Sequence, residues 1–92
     1  MATRTALVAT AYTQVAADVT ALKLIQCPSH GSPSYRGVEL VAAADAPAIT
    51  VRGIELAAGE TITSANIADL GAAGKLYAKP AWGSATGEIL TL

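Results

Sequence analysis

Large aromatic and chemically reactive side chains are scarce in this chain of 92 residues. It contains no Phe, one Trp, three Tyr, one Cys and one His. A single cysteine excludes a disulfide framework and a thiolate metal site. A chain of this length forms one domain, and much of its apolar content is Ala. We therefore assign residues 1–92 to a single domain with a thin core of Val, Ile and Leu and no deep ligand cavity.

Charged residues are also few, and neither sign is clustered. Six basic and seven acidic residues give a net charge of −1, and the cations are scattered between Arg4 and Lys79. Phosphate backbones are bound by clustered Lys and Arg, so we expect no nucleic-acid partner. No run reaches the roughly 18 apolar residues of a membrane helix, and the first residues lack the apolar stretch of a signal peptide. We expect no membrane partner and synthesis in the cytoplasm.

Residues that could perform catalysis do not form a recognisable set. His30 lies three residues after Cys27 in "CPSHGSP", with no acidic residue near it in sequence, whereas a nucleophile–His pair needs a third, orienting group. The glycine spacing matches no phosphate-binding loop, and no clustered acidic residues indicate a calcium loop. We interpret His30 as a solvated loop histidine and predict a protein that is not an enzyme and binds no cofactor or metal.

Short segments of alternating polarity, separated by turn residues, dominate the chain. This period of two is typical of strands in a sheet with one buried face. The pattern predicts an all-β fold, a small β-sandwich or β-barrel of about six to eight short strands. A short helical turn is a further candidate at 64–70, where a Ser precedes helically spaced apolar residues. The predicted strands are 5–9, 12–15, 20–26, 38–42, 49–52, 53–56, 75–79 and 88–92, of which the first two are alternatively an extended arm.

The alternation also predicts the faces of these strands. In 38–42 it places Val38 and Leu40 inward and Glu39 outward. In 53–56 it sets Ile54 and Leu56 on one side. In 20–26 Leu22 and Leu24 share a face, and in 88–92 Leu90 and Leu92 are in phase. In 75–79 Leu76 and Ala78 lie opposite Lys75, Tyr77 and Lys79. Two turns contain glycine at a position where a positive φ is expected: Gly59 in "AAGE" (57–60), and glycine in "GAAG" (71–74).

The strongest candidates for a binding surface are aromatic and basic residues in loops and ends. Trp82 lies in the Gly/Ser/Ala turn "AKPAWGSATG" directly after Pro80, and Tyr35 and Arg36 follow the loop 29–34. Trp, Tyr and Arg are enriched in binding hot spots. Trp82 either covers the end of its own domain or anchors a neighbouring subunit. With Arg4 at the N-terminal end, these residues form the predicted protein interface.

The order of segments resembles that of small virion proteins of tailed bacteriophages. The resemblance covers residues 12–92 and lies in "AYTQVAADVTALKLIQ", a Gly/Ser break, "GVELVAAADAPA", "GIELAAGETIT" and "GKLYAKPAWGSATGEILTL". It implies a compact β protein that decorates or cements the outer surface of the head, bound to the major capsid protein and oligomeric, with trimers frequent. The alternative is a small component of the tail or its receptor-binding tip. No catalytic residues carry over.

Under this hypothesis the protein is in the host cytoplasm before assembly and on the capsid surface of the virion afterwards. Residues 1–11 are then either an ordinary first strand or an arm that becomes ordered on docking. Exposed strand edges are a second means of pairing with partners.

Overall fold

Two four-stranded antiparallel sheets account for most of the structure, which is a computed structural model describing residues 3–28, 37–63, 74–81 and 86–92. The all-β prediction is confirmed, and the architecture is that of a small sandwich. Within these ranges the strands are β1 (Thr3–Val8), β2 (Thr13–Ala16), β3 (Leu24–Gln26), β4 (Val38–Ala43), β5 (Ile54–Leu56), β6 (Thr61–Thr63), β7 (Lys75–Pro80) and β8 (Thr86–Thr91).

Sheet A contains the strands in the order β1-β8-β3-β6, and sheet B contains them in the order β2-β7-β4-β5. The chain therefore passes repeatedly between the sheets, and the first and last strands pair with each other along Thr3–Val8 and Thr86–Thr91. In sheet B, β7 is an inner strand between β2 and β4. Strand β5 is the edge strand next to β4.

The core lies between the two sheets and is built from medium-sized apolar side chains. Sheet A contributes Leu7, Ile25 and Ile89, and sheet B contributes Leu40 and Leu76 among others. Burying one such side chain contributes roughly 1.5–3 kcal/mol. A sandwich of this kind is stabilised by many such contributions. As predicted, Val38, Leu40, Leu76 and Ala78 face the core and are fully or almost fully buried.

The predicted strand 20–26 is wrong in its first half. Val19–Ala21 form a short 3-10 turn, and only Leu24–Gln26 form a strand. The Asp18 side chain accepts a hydrogen bond from the Thr20 backbone N–H at 3.0 Å and another from the Thr20 hydroxyl at 2.7 Å. This local capping competes with strand pairing. Ile25, not Leu24, is the fully buried residue of this segment.

One further predicted strand, 49–52, is wrong, and the structure shows unequal burial within β8 and β5. In β8 the buried apolar side chain is Ile89, whereas Leu90 is half-buried and Leu92 is exposed. Residues 49–52 form no strand, since Val51 N–H donates to the Ala48 carbonyl at 3.0 Å and closes a turn. Ile54 does not share the burial of Leu56: it lies on edge strand β5 and is 45% exposed.

Two turn glycines in the described residues adopt a left-handed backbone conformation. Gly59 and Gly74 have φ values of 88° and 106°, so both glycines are in the left-handed region as expected. Strand β6 (Thr61–Thr63), which pairs with β3, was not among the predicted strands. The helical turn predicted at 64–70 lies outside the described residues.

Candidate functional site

A carboxylate and an ammonium group face each other on the side of sheet B that points away from sheet A. Glu39 of β4 and Lys79 of β7 are direct partners in the antiparallel register. Their neighbours Val38 and Leu40 face the core, so alternation turns Glu39 to the outer face, as the sequence predicted. The expectation that this also exposes Glu39 is wrong, because its side chain is fully buried.

The covering structure is the connection between β4 and β5, residues 44–53, which we call the strap. The backbone N–H of Gly53 donates a 3.0 Å hydrogen bond to Glu39 Oε2. The strap approaches β4 so closely here that a Cβ atom at position 53 would collide with the Leu40 carbonyl oxygen and lie 2.9 Å from Val41 Cγ2. Glycine is therefore required for this approach.

Two further contacts join the strap to the same face. The Nε atom of Arg52 lies 3.5 Å from Glu39 Oε2, and the guanidinium also reaches Glu55 Oε1 at 3.6 Å. The hydroxyl of Tyr12, which precedes β2, donates to the Val51 carbonyl at 2.5 Å. The Lys79 Nζ atom lies 5.6 Å from the centre of the Tyr12 ring, within the range of a cation–π interaction.

Glu39 is the centre of this cluster. Its Oε1 lies 3.4 Å from Lys79 Nζ and forms an ion pair with it. The geometry is not that of a hydrogen bond, and Oε1 accepts none from the described residues. Burial acts to raise the pKa of Glu39. The hydrogen bond from Gly53 and the charges of Lys79 and Arg52 outweigh it, so the pKa is lowered from its ordinary value of 4.5. Glu39 is therefore a buried carboxylate that stays ionised at neutral pH.

The pKa of Tyr12 shifts in the opposite direction. Burial raises it above the ordinary 10.0, the negative charge of Glu39 adds to the rise, and Arg52 opposes it. Tyr12 is therefore a neutral hydroxyl donor at neutral pH, where Glu39 is charged. The cluster combines one anion, two cations and one neutral donor.

Three exposed apolar side chains lie in the strap or directly after it in the sequence. Ile49 and Val51 of the strap are each 40% exposed, and Ile54 of β5 is 45% exposed. Of the five large hydrophobic residues that are exposed in the described part of the chain, these three fall within six consecutive residues. The other two, Val8 and Leu92, belong to the ends of the chain. We call Ile49, Val51 and Ile54 the apolar band.

The residues predicted to bind a partner are placed only in part. Tyr35, Arg36 and Trp82 lie outside the described residues. The residues bonded to them, Gly37 after Arg36 and Ala81 before Trp82, lie together, since Ala81 N–H donates to the Gly37 carbonyl at 2.9 Å. Both predicted loops therefore join the sandwich at neighbouring points at one end of sheet B.

Arg4 and Pro80 are both described. Arg4 is an exposed residue of β1, and its guanidinium makes a 2.6 Å ion pair with Glu88 of β8. Pro80 is buried at the end of β7, opposite Val38 of β4. The isolated chain therefore presents Arg4 to solvent and does not present Pro80.

Of the two residues considered for catalysis, Cys27 alone lies in the described part of the chain. Cys27 is buried in the core between the sheets, and His30 lies outside the described residues. Among the residues that the structure describes, no three His, Cys, Asp or Glu side chains are grouped closely enough to bind a metal ion. No helix in the described ranges is long and apolar enough to span a membrane.

Comparison with known proteins adds no relative. No family model matches the chain, and neither the curated proteins nor the solved structures contain a significant match.

The buried cluster was not predicted from the sequence. A charged residue occupies the middle of each of two otherwise apolar segments, Glu39 in "VELVA" and Lys79 in "LYAKPAW", and the two charges have opposite sign. This is the signal that could have paired them. Nothing in the sequence indicates that the strap covers the pair.

Proposed function

We propose that this chain is a structural protein of a tailed-phage virion that attaches to the outer surface of the head through the major capsid protein. The observation that carries the proposal is the apolar band. Three β-branched side chains, Ile49, Val51 and Ile54, are each exposed and fall within six consecutive residues. Contiguous exposed apolar residues are typical of protein–protein contact sites.

The apolar band is continuous with an edge of sheet B. Ile54 pairs with Leu40 and Leu56 pairs with Val38, so β5 runs from the strap to the end of the sheet where Gly37 and Ala81 meet. Edge strands offer backbone groups that can pair with a strand of another protein. The proposed contact surface therefore consists of the apolar band, the free side of β5, and the loops that carry Tyr35, Arg36 and Trp82.

This surface suits a protein that acts by adhesion. Specific protein interfaces bury about 1,200–2,000 Å² in total, and the whole described chain has an accessible surface of 5090 Å². Such a contact would bury about 600–1,000 Å² on each partner, a minor part of this surface. Arg4, on the opposite sheet, is proposed to contact a second copy in a homo-oligomer.

The second candidate function is recognition of a host surface by a small tail or receptor-binding tip component. It is favoured by the hydrogen bond between Ala81 and Gly37, which brings together the points where the two predicted loops join sheet B. Loops grouped at the end of a sandwich form recognition surfaces in other proteins. The two candidates differ in location: labelling of intact virions covers the head in the first case and one end of the tail in the second.

The experiment is a binding titration of the purified protein on heads that lack it. Ile54→Lys and Trp82→Ala are each expected to weaken binding at least about tenfold. Removing an anchor residue from a desolvated contact costs about 2 kcal/mol or more, and 2 kcal/mol corresponds to about thirtyfold in affinity. Val8→Lys is the matched control, since Val8 is also exposed but lies on β1 of sheet A.

Circular dichroism establishes that each variant is folded before binding is measured. Unchanged occupancy of both Ile54→Lys and Trp82→Ala contradicts the proposed surface. Label found only at the tail contradicts attachment to the head and leaves the second candidate. An unfolded Trp82→Ala variant would mean that the indole belongs to the core of its own domain.

A further inference from the structure

The strap has almost no apolar anchor of its own. Of residues 44–53, only Pro47 and Gly53 are half-buried, and all others are exposed. None of them belongs to the core between the sheets. Segments with few buried apolar contacts open at low free-energy cost, independently of the rest of the fold. The position of the strap therefore depends on its polar contacts.

Those contacts converge on Glu39. Its Oε2 accepts the hydrogen bond from Gly53 and pairs with Arg52, so one carboxylate group binds two consecutive strap residues. Among the described residues the strap makes two other polar contacts. Arg52 reaches Glu55 of β5, and the Val51 carbonyl accepts from the hydroxyl of Tyr12, which precedes β2. Tyr12 in turn lies under Lys79, which pairs with the same carboxylate.

We propose that Glu39 is the latch of the strap: the ionised carboxylate holds residues 44–53 against sheet B, and loss of its charge releases the strap while the sandwich stays folded. The strap carries Ile49 and Val51, so the latch sets how these apolar side chains are presented. The inference concerns the conformation of the free chain and does not depend on the proposed function.

The groups that face Glu39 determine how the latch responds to pH. Lys79 comes from β7, Arg52 from the strap and Tyr12 from the segment before β2, and Glu55 lies opposite Glu39 on β5. Protonation of Glu39 removes the common counter-ion of Lys79 and Arg52. Because the pKa of Glu39 is lowered, the latch holds at pH 4.5 and above and opens as the pH falls further.

Amide hydrogen exchange measured residue by residue by NMR tests the latch. In the Glu39→Gln variant, which keeps an acceptor for Gly53 N–H and removes the charge, exchange at Gly53 is expected to rise at least about tenfold, or about 1.4 kcal/mol. Exchange in β8, at Glu88 and Ile89, is expected to stay unchanged. Glu55→Gln is the matched control, since Glu55 also contacts Arg52 but is exposed.

The pH dependence supplies an independent readout. In the natural chain, exchange of the strap amides, corrected for the intrinsic rate, is expected to rise as the pH falls below 4.5, and in Glu39→Gln it is expected to be raised already at neutral pH with no further acid step. Tyr12→Phe, which keeps the ring and removes the hydroxyl contact with Val51, is expected to raise strap exchange alone and to keep the acid step.

Each other result overturns the latch. Unchanged strap exchange in Glu39→Gln means that the carboxylate does not hold the strap. An equal rise in β8 means that the strap and the sandwich open together. The same rise in Glu55→Gln means that negative charge near Arg52, not the buried carboxylate, is responsible. If Glu39→Gln does not fold, the rise in amide exchange of the natural chain in acid is used instead. A rise that appears at the same pH in the strap and in β8 means that the strap and the sandwich open together.

Discussion

Glu39 and Lys79 lie opposite each other on β4 and β7, with their side chains buried on the outer face of sheet B and their charged atoms 3.4 Å apart. A buried ion pair contributes little net stability when both partners are present, but removing one partner leaves an uncompensated charge. The pair therefore makes each of its members hard to replace. This asymmetry leads to the first prediction.

Lys79→Met is expected to lower the free energy of unfolding by about 3 kcal/mol. The Met side chain fills a similar volume, so the loss of stability measures the cost of leaving the buried Glu39 carboxylate without Lys79. The exposed Arg52 is then its only counter-charge among the described residues. Urea unfolding measures the change. Lys75→Met is the control, because Lys75 lies four residues away on the same face of β7 and makes no ion pair among the described residues. Equal stability of the two variants would contradict the prediction.

The stability of the protein should fall in acid through Glu39. Because its folded pKa is below 4.5, the carboxylate contributes stability that is fully present above pH 4.5 and is lost as the pH falls through the folded pKa. Urea unfolding of the natural chain and of Glu39→Gln over a pH series checks this. The difference between the two free energies is expected to be largest at neutral pH and to shrink below 4.5; a difference that is independent of pH would refute the assignment.

Gly53→Ala is expected to destabilise the fold by about 1–3 kcal/mol, the range for overpacking. The new methyl group would meet the Leu40 carbonyl and push the strap away from β4, and this would also lengthen the Gly53–Glu39 hydrogen bond. The matched control is Gly87→Ala, whose added Cβ would lie 3.4 Å from Pro80 Cγ, an ordinary van der Waals distance. Thermal unfolding compares the two, and a larger loss for Gly87→Ala would count against the close approach of the strap.

Ile89→Ala is expected to cost about 2–5 kcal/mol, the range for emptying a core position. Ile89 is fully buried between the sheets, whereas its neighbour Leu90 is half-buried. Leu90→Ala is therefore expected to cost clearly less, although it removes a side chain of the same size. Denaturant midpoints of the two variants decide the phase of β8. The reverse order would contradict the burial of Ile89 between the sheets.

The outcome for β8 shows where alternation stops being informative. In 38–42 and 75–79 the inward positions were predicted correctly, because charged residues mark the other face. In β8 both faces carry apolar residues, Ile89 on one and Leu90 on the other, so the period is visible but the buried face is not. The same ambiguity affected Leu24 and Ile25 in β3. Edge position had a separate effect at Ile54, whose face was predicted correctly but whose burial was not.

The candidate site divides in the same way. The amino-acid order alone specified a β protein with strands at β4 and β7, an apolar inner face and opposite charges on the outer face, because side chains alternate along every strand. Burial of Glu39 depended on the path of the strap, which returns across β4 and brings Gly53, Arg52 and Val51 to the carboxylate and to Tyr12. Contacts between residues that are 14 and 39 positions apart have no local signature in the sequence. Only the packing of the folded chain determined that this charge is enclosed.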